Sequence, residues 1–172
     1  MEQLFKMTNK TNLRKWAKTF DKSQYSAKFV ELIRKTDEYK QAKNIMIFYP
    51  LKNEVNLLSL LEDKEKKFFL PKIDGDNLLC CSFDESQELC TSCFKTKEPT
   101  TPPCDKNCID LVIVPALCCD KNNFRLGYGG GFYDRFLKDF KGNSIVCLPK
   151  SLIIETIYPE KYDIPINTII SC

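Results

Sequence analysis

Several stretches of the chain place apolar residues at the spacing of a helix face. In the first stretch the positions i, i+3, i+4 and i+7 are all apolar, and they are Leu13, Trp16, Ala17 and Phe20. A second helix is predicted to start where Asp21 and Gln24 resemble a capping box, and to run toward Glu38. A third helix is predicted after Asn53, because apolar residues recur over 55–61 before a charged end.

Short apolar runs between these helices predict strands. They lie at 45–49, 68–70, 78–83, 109–115 and 144–148. Pro50 and Pro71 are expected to end the first two strands. The tail has two more apolar pieces, 152–157 and 166–170. The segment 84–108 contains three prolines and few apolar residues, and it is predicted to be a long irregular connection.

Strands alternate with helices along the chain, and this alternation predicts a single α/β domain over residues 1–172. The expected architecture is an open, mostly parallel sheet with helices on both faces, a three-layer and Rossmann-like arrangement. With 172 residues, of which 43% are hydrophobic, the chain is long enough for one domain with a substantial core. The same composition excludes a disordered tail, a fibrous protein and a tandem array.

The charged residues, the lack of long apolar stretches and the missing histidine limit the partners and reactions that we expect. Lys and Arg number 26 and Asp and Glu 23, and the two signs are interspersed, so we expect no nucleic-acid partner. No apolar stretch approaches the roughly 18 residues of a membrane span, and the N-terminal segment lacks the apolar region of a signal peptide, so we expect a cytoplasmic protein without membrane contact. The chain has no histidine, which excludes general acid–base catalysis by histidine, Ser-His and Cys-His pairs, and histidine metal sites within it.

Ten cysteines are the other unusual count. Without a signal peptide, reduced thiols are a better prediction than a disulfide scaffold. Cys90 and Cys93, followed by Cys104 and Cys108, resemble the paired spacing of a Cys₄ zinc site, although the second pair is one residue wider than usual. We expect incidental thiols and keep a zinc-dependent interaction domain as the alternative.

The glycine-rich loop after the strand at 109–115 carries most of the chemical information. Its glycines, which precede an amphipathic helix predicted at 132–140, are Gly127, Gly129, Gly130 and Gly131. Glycines let backbone N–H groups converge on an anion, and a helix N-terminus adds its positive end. Arg125 can neutralise a phosphate, and Asp134 can hold a Mg²⁺ that bridges phosphate oxygens. A phosphate site is therefore the favoured prediction, and a turn without a ligand is the alternative.

The same segment resembles the signature of a known enzyme family. The runs 110–117 and 125–135, with Asp120 between them, are similar to the signature of 5-formyltetrahydrofolate cyclo-ligases, also called methenyltetrahydrofolate synthetases. The resemblance extends over nearly the whole chain. Three features depart from the family pattern: Phe132 stands where tyrosine is usual, Tyr162 replaces a histidine, and no glutamine follows the last main strand.

The resemblance implies an ATP- and Mg²⁺-dependent cyclisation of 5-formyltetrahydrofolate to 5,10-methenyltetrahydrofolate, with release of ADP and phosphate. It implies catalytic roles for Arg125 and Asp134, and it makes Asp134 and Asp163 the Mg²⁺ ligands. The implied folate contacts are Tyr49, Glu54 and Phe132. The implied ATP contacts are Lys10, Thr11, Asn12, Leu13, Arg14, Arg125, Leu126, Gly127, Tyr128, Gly129, Gly130, Gly131, Phe132 and Tyr133.

Two further positions match family features, a basic residue at Lys72 and the pair Glu98-Pro99. The implied partners are ATP and a reduced folate, and the expected state is a monomer. The main alternative is a nucleotide- or sugar-phosphate-binding α/β module without ligase activity.

Overall fold

The computed structural model describes residues 9–92 and 95–172, and it places four α-helices among them. The helices are α1 (Lys10–Ala17), α2 (Ser26–Lys35), α3 (Asp37–Gln41) and α4 (Phe132–Leu137). The strands are β1 (Asn44–Met46), β2 (Lys67–Asp74), β3 (Asn77–Phe83), β4 (Leu89–Thr91), β5 (Lys97–Pro99), β6 (Pro103–Cys104), β7 (Leu111–Ile113), β8 (Cys118–Asp120), β9 (Arg125–Leu126), β10 (Asn143–Leu148), β11 (Ile153–Ile154) and β12 (Thr168–Ser171). Short 3₁₀ turns lie at Ser23–Tyr25, Leu58–Glu62, Lys106–Cys108 and Lys150–Leu152.

A seven-stranded sheet organises the molecule, in the order β12-β10-β7-β1-β2-β3-β6. The first five of these strands are parallel to their neighbours, while β3 and β6 are antiparallel. Two smaller sheets, β11-β8-β9 and β4-β5, flank it. The prediction of a mostly parallel sheet is confirmed.

Helices cover both faces of this sheet, because neighbouring residues of a strand point to opposite sides. The core on one side contains Met46 and Val112 together with residues of α1 and α4. The core on the other side contains Ile45 and Leu111 together with residues of α2 and α3. Central strands that are apolar on both faces are what a sheet buried on both sides requires. The predicted three-layer arrangement is therefore confirmed.

The second predicted helix is interrupted. The chain first makes a 3₁₀ turn, where Asp21 accepts a hydrogen bond from the Ser23 N–H at 2.9 Å, and α2 then ends at Thr36, which is extended with ψ at 149°. The Thr36 hydroxyl accepts a hydrogen bond from the Tyr39 N–H at 3.2 Å, so Thr36 caps a new helix. A continuous helix toward Glu38 is wrong, because a threonine in an extended conformation starts α3 instead.

The helix predicted after Asn53 does not form. The chain makes a single 3₁₀ turn at Leu58–Glu62, and the side chain that accepts a hydrogen bond at its start belongs to Asn56, from the Leu58 N–H at 3.0 Å. The Asn53 carbonyl instead accepts a hydrogen bond from the Lys22 N–H at 3.0 Å. The apolar spacing predicted burial correctly, since Leu60 is 0% exposed, but the short 3₁₀ segment is enough to bury it.

Pro71 does not end its strand, since β2 continues to Asp74. Residues two apart in a strand direct their backbone N–H and C=O groups toward the same neighbouring strand. The Phe69 carbonyl accepts the Ile47 N–H on the β1 side, so the backbone nitrogen of Pro71 also faces that side. Pairing with β1 stops at Phe69, so the N–H that Pro71 lacks has no strand to meet on that side.

Two other predicted boundaries also change. The run at 45–49 is a strand only over Asn44–Met46, after which the chain continues toward the site. The segment 84–108 is not wholly irregular, because β4 and β5 form a hairpin and β6 adds an edge to β3.

Candidate active site

A cavity of about 790 Å³ lies beyond the carboxyl ends of β1 and β7. Phe48 and Tyr49 follow β1, Pro115 follows β7, and all three line the cavity. Ligands of open α/β sheets bind at this edge. The structure brings most of the predicted site residues to this one cavity. They are Lys10, Arg14, Tyr49, Glu54, Arg125, Leu126, Gly127, Tyr128, Gly129, Gly130, Gly131, Phe132, Tyr133, Asp134 and Asp163.

The glycine loop has a shape that side chains would disturb. Gly129 has a φ of +111°, a conformation that glycine adopts without steric cost. A Cβ atom on Gly127 would lie 2.5 Å from Nη1 of Arg125, and one on Gly130 would lie 2.5 Å from Cε2 of Phe132. The glycines therefore let the loop backbone lie close against the surrounding side chains. Because α4 is only six residues long, the loop backbone rather than a long helix dipole faces the cavity.

Helix α1 and the residue that follows it contact this glycine loop. Nε of Arg14 donates a hydrogen bond to the Gly127 carbonyl at 2.9 Å. The Lys18 ammonium lies 5.6 Å from the centre of the Tyr128 ring. Arg14 is thus anchored by one nitrogen at the wall of the cavity, with a guanidinium that also faces Gly129.

Arg125 is the buried cation of the cavity, with a side chain that is 4% exposed. Its Nη2 donates a hydrogen bond to Oδ2 of Asp134 at 3.1 Å, and its guanidinium lies 5.4 Å from the centre of the Tyr133 ring. The other oxygen of Asp134 accepts the Ile164 N–H at 3.2 Å. The Nε atom of Arg125 is buried and has no hydrogen-bond partner among the described residues. A buried guanidinium with an unused donor suits an anionic ligand.

Lys10 forms the second charged cluster. Its ammonium contacts Oδ2 of Asp163 at 2.5 Å and Oε2 of Glu160 at 2.9 Å. Burial lowers the pKa of Lys10, but the hydrogen bonds and charges of Asp163 and Glu160 outweigh burial and raise it above its ordinary value. Lys10 therefore stays protonated at the cavity wall.

Glu54 is a buried carboxylate of the cavity lining, 5% exposed. Its Oε2 accepts the Leu51 N–H at 2.8 Å, and its Oε1 accepts the Tyr128 hydroxyl at 2.6 Å. Burial and the charge of Glu54 raise the pKa of Tyr128, so the hydroxyl remains a donor.

Some predicted residues lie elsewhere. Thr11 and Asn12 are exposed, and Leu13 is a core residue that is 1% exposed, and none of the three lines the cavity. Lys72 and Glu98 do not line it either. Glu98 is buried, and it accepts the Ile73 N–H at 3.4 Å beside the wall.

Asp120, part of the signature, has a structural role. It is 0% exposed, and its carboxylate accepts the backbone N–H groups of Asn122, Phe124 and Ile157. These bonds fix the turn between β8 and β9 and attach it to the tail.

The sequence missed several polar and charged cavity residues. They are Thr96, Lys97, Arg135, Lys138, Glu160 and Lys161. Glu160 contacts Lys10 across 150 positions of sequence, so no local pattern could have indicated this pair. Only the nearness of Glu160 to the predicted ligand Asp163 was visible beforehand.

Asp134 and Asp163 supply carboxylate oxygens to the same cavity, and Ile164, the neighbour of Asp163, bonds to Asp134. Mg²⁺ is usually held by one or two carboxylates together with phosphate oxygens and water, so this donor set fits it. Within residues 9–92 and 95–172, no group of three or more acidic or sulfur ligands has the arrangement of a metal site. Phosphate oxygens would therefore have to complete the coordination.

The three described cysteines of the zinc alternative form no metal-binding group. The Cys90 thiol donates to the Glu98 carbonyl at 3.4 Å in the β4-β5 hairpin. Cys104 instead contacts the sulfur atoms of Cys80 at 3.4 Å and Cys108 at 3.6 Å. Cys93 lies outside the described residues.

Comparisons with known proteins agree with this geometry. A model of the 5-formyltetrahydrofolate cyclo-ligase family matches residues 3–171. The 5-formyltetrahydrofolate cyclo-ligase of Escherichia coli K12 is 27% identical over 142 residues, which cover 76% of this chain and 78% of that protein. The NMR structure of Aquifex aeolicus 5,10-methenyltetrahydrofolate synthetase superposes with a TM-score of 0.81 at 27% identity, covering 94% of this chain and 89% of that one.

A second solved structure supports the fold alone. The 5,10-methenyltetrahydrofolate synthetase of Mycoplasma pneumoniae has a TM-score of 0.69 at 20% identity, and the match covers 94% of this chain and 98% of that chain. None of the helices in the described part of the chain is both long enough and apolar enough to span a membrane.

Proposed function

Since the chain belongs to the 5-formyltetrahydrofolate cyclo-ligase family, we propose that it converts 5-formyltetrahydrofolate and ATP to 5,10-methenyltetrahydrofolate, ADP and phosphate, with Mg²⁺. The observation that carries this proposal is a single cavity that holds two chemically different sets of groups. Arg14, Arg125 and the glycine loop supply positive charge and backbone N–H groups, and Glu54 supplies a buried carboxylate. Such a cavity suits a polyanionic nucleotide next to a ligand with hydrogen-bond donors.

The triphosphate is assigned to the cationic groups of the cavity. Arg125 contributes a buried guanidinium, and Arg14 is bound to the Gly127 carbonyl through Nε alone, so Nη1 and Nη2 of Arg14 are available to phosphate oxygens. The loop backbone from Gly127 to Gly131 offers N–H groups to phosphate oxygens. Lys10 adds a third positive charge. Thr11, Asn12 and Leu13 would support ATP only indirectly, by holding α1 in place.

The folate is assigned to Glu54 and the apolar part of the cavity lining. A pterin ring presents an amino group and a ring N–H at one edge, and the Glu54 carboxylate can accept hydrogen bonds from both. Tyr49 and Phe132 supply flat apolar surface for the ring. The mostly apolar walls there include Ile73 and Leu78.

Asp134 and Asp163 would hold the Mg²⁺, which when bound neutralises phosphate charge and orients the transferred group. In the free protein, Arg125 and Lys10 occupy these carboxylates. Both cations are long side chains, so each can also bind phosphate oxygens beside the metal. Asp134 has a further role, because its ion pair directs the Arg125 guanidinium.

The proposed reaction has two steps. The formyl oxygen attacks the γ-phosphorus of ATP, so that a new P–O bond forms, the bond to the β-phosphate bridging oxygen breaks, and ADP leaves. N10 of the folate then attacks the formyl carbon and loses its proton, and the carbon–oxygen bond to phosphate breaks. Phosphate leaves, and the methenyl bridge is complete. These steps depend on position and charge neutralisation, which a chain without histidine can supply.

Turnover tests the proposal directly. Purified protein with 5-formyltetrahydrofolate, ATP and Mg²⁺ should produce the strong near-ultraviolet absorbance of the methenyl product, with one ADP formed per product. Folded protein that binds ATP but forms neither product nor ADP would refute the ligase function and support the binding-module alternative. Omitting Mg²⁺ or adding a chelator should abolish the signal.

We further propose that the protein works in the cytoplasm as a monomer of one domain, and that it has no nucleic-acid partner. The interspersed charges support the absence of a nucleic-acid partner, and the seven-stranded sheet, which takes strands from both halves of the chain, supports a single domain. Light scattering of the purified protein would test the monomer.

A further inference from the structure

The Tyr128 hydroxyl connects the glycine loop to Glu54 within the cavity lining. Tyr128 lies in the glycine loop, and its hydroxyl donates a 2.6 Å hydrogen bond to Oε1 of Glu54, which is 74 positions away in the sequence. The bond is short and its acceptor is a carboxylate, so it belongs to the stronger class of hydrogen bonds. It joins the segment after β1 to the loop assigned to the triphosphate.

The bond restricts the Glu54 side chain to one orientation. Oε2 is already fixed by the Leu51 N–H at 2.8 Å, and Oε1 is fixed by Tyr128, so the carboxylate is held at both oxygens. Each carboxylate oxygen has a second lone pair that can accept a donor from a ligand. Removing the Tyr128 hydroxyl would leave Oε1 without this restraint and free the side chain to rotate.

The Tyr128 ring is itself held through α1. Nε of Arg14 bonds to the Gly127 carbonyl at 2.9 Å, and the Lys18 ammonium lies 5.6 Å from the ring centre. A nucleotide that draws Arg14 and the loop together would thus also fix the position of Tyr128. A continuous set of contacts runs from α1 through Tyr128 to Glu54.

We infer that Tyr128 is a positioning residue that orients Glu54 for the reduced folate and couples folate binding to occupation of the glycine loop by ATP. This inference rests on the proposed function. Tyr128 touches the substrate-binding carboxylate rather than the reacting atoms, so it acts on affinity more than on the chemical steps.

The test compares Tyr128→Phe with wild type. The variant keeps the ring, which is 42% exposed, and removes only the hydroxyl, so the fold is expected to be retained. The KM for 5-formyltetrahydrofolate should rise about tenfold, as expected for loss of a hydrogen bond to a charged group. The kcat should stay within about twofold, because the phosphate contacts remain. Because coupling is reciprocal, the KM for ATP at saturating folate should rise by about the factor of coupling that is lost.

Calorimetry measures the coupling. In wild type, a non-hydrolysable ATP analogue should tighten 5-formyltetrahydrofolate binding by about fivefold or more, and in Tyr128→Phe by less than about twofold. A Glu54→Gln background gives the second readout. If Tyr128 acts through Glu54, adding Tyr128→Phe there should change the folate KM less than about twofold.

Tyr39→Phe is the matched control. Tyr39 is a buried tyrosine of α3 whose hydroxyl also donates to a carboxylate, that of Asp63 at 3.2 Å, and it does not line the cavity. Its folate KM should equal that of wild type. Active wild-type protein together with an unchanged folate KM and unchanged coupling in Tyr128→Phe would overturn the role of Tyr128 and leave the proposed function intact. Inactive wild-type protein would overturn the proposed function itself.

Discussion

At the scale of single residues, the Arg125–Asp134 pair is the most consequential interaction of the cavity. The Arg125 side chain is 4% exposed and that of Asp134 is 17% exposed, so the pair is removed from most of the water that would screen it. Breaking such a pair leaves the other charge uncompensated. Substitution of either residue is therefore expected to disturb its partner as well as the proposed reaction.

Arg125→Ala should lower kcat/KM by about 100-fold or more, because a buried cation aimed at developing phosphate charge is lost. Asp134→Asn should give a comparable loss, since it removes a Mg²⁺ ligand and releases Arg125. Initial rates of methenyl formation measure both effects. Arg34→Ala is the control, because Arg34 is a surface arginine paired with Glu62 at 3.8 Å and lies outside the cavity lining. Rates of Arg125→Ala within about twofold of wild type would contradict the assigned role.

Gly127 makes a second residue-level prediction. Its substitution by alanine would place a methyl group 2.5 Å from Nη1 of Arg125 and displace the guanidinium. The KM for ATP should therefore rise several-fold. Gly75→Ala provides the contrast, because its φ is +57° in open space, where a methyl group meets no atom within 4 Å. That variant should lose about 1 kcal/mol of stability through backbone strain and keep its KM for ATP. If both variants shift the KM equally, the close approach at Gly127 is not the cause.

At the scale of secondary-structure elements, the separation of α2 from α3 depends on Thr36. Its hydroxyl accepts the Tyr39 N–H at 3.2 Å and donates to the Ile33 carbonyl at 2.8 Å. The apolar spacing that predicted a helix here reported which face is buried. It carried no information about an interruption, because both helices bury residues on the same side of the sheet.

Thr36→Ala should lower the free energy of unfolding by about 1 kcal/mol, the usual cost of losing a helix cap. Urea denaturation followed by circular dichroism measures this change. Thr19→Ala is the control, since the Thr19 hydroxyl also bonds to a carbonyl, that of Trp16 at 2.7 Å, but caps no helix start. Thr36→Ala should unfold at a lower urea concentration than Thr19→Ala. Equal unfolding midpoints would contradict the role of Thr36 as a helix cap.

At the scale of the whole molecule, burial determines the protonation state of the cysteine thiols. Burial raises the pKa of Cys104 to about 11, and the Cys80 hydrogen bond adds to the rise. Burial also raises the pKa of Cys108 to about 11 and that of Cys118 to about 12. These thiols are neutral near pH 7 in the folded protein. The cysteines in the described part of the chain form no disulfide.

The raised thiol pKa values predict how stability depends on pH. An unfolded thiol loses its proton near pH 8.5, while these folded thiols keep theirs to about pH 11. Above about pH 9 the unfolded state therefore binds fewer protons, and the free energy of unfolding should fall as pH rises toward 11. Urea titrations at pH 7, 9 and 10 measure this trend.

Alkylation gives an independent check on the same thiols. Iodoacetamide at pH 8 should label the exposed Cys90 first, while the rate at Cys104 should rise about tenfold per pH unit. The buried Cys147 should react only after unfolding in urea. Rapid labelling of Cys104 at pH 7 would show that its thiol is not held neutral.

The sequence by itself determined the alternation of strands and helices, the apolar faces and the glycine loop with its flanking Arg125 and Asp134. Each of these depends on residues that are close together in the chain, so periodicity and motif report them directly. It could not place element ends such as those at Thr36 and Pro71. Those depend on a local hydrogen bond and on where a neighbouring strand stops.

Only the tertiary structure decided which distant residues share the cavity. Lys10 meets Asp163 across 153 positions, and Tyr128 meets Glu54 across 74. These pairs form because the sheet order brings the ends of β1 and β7 together and lays α1 against the loop before α4. Contacts of this kind depend on packing in three dimensions, which no local pattern in the sequence encodes.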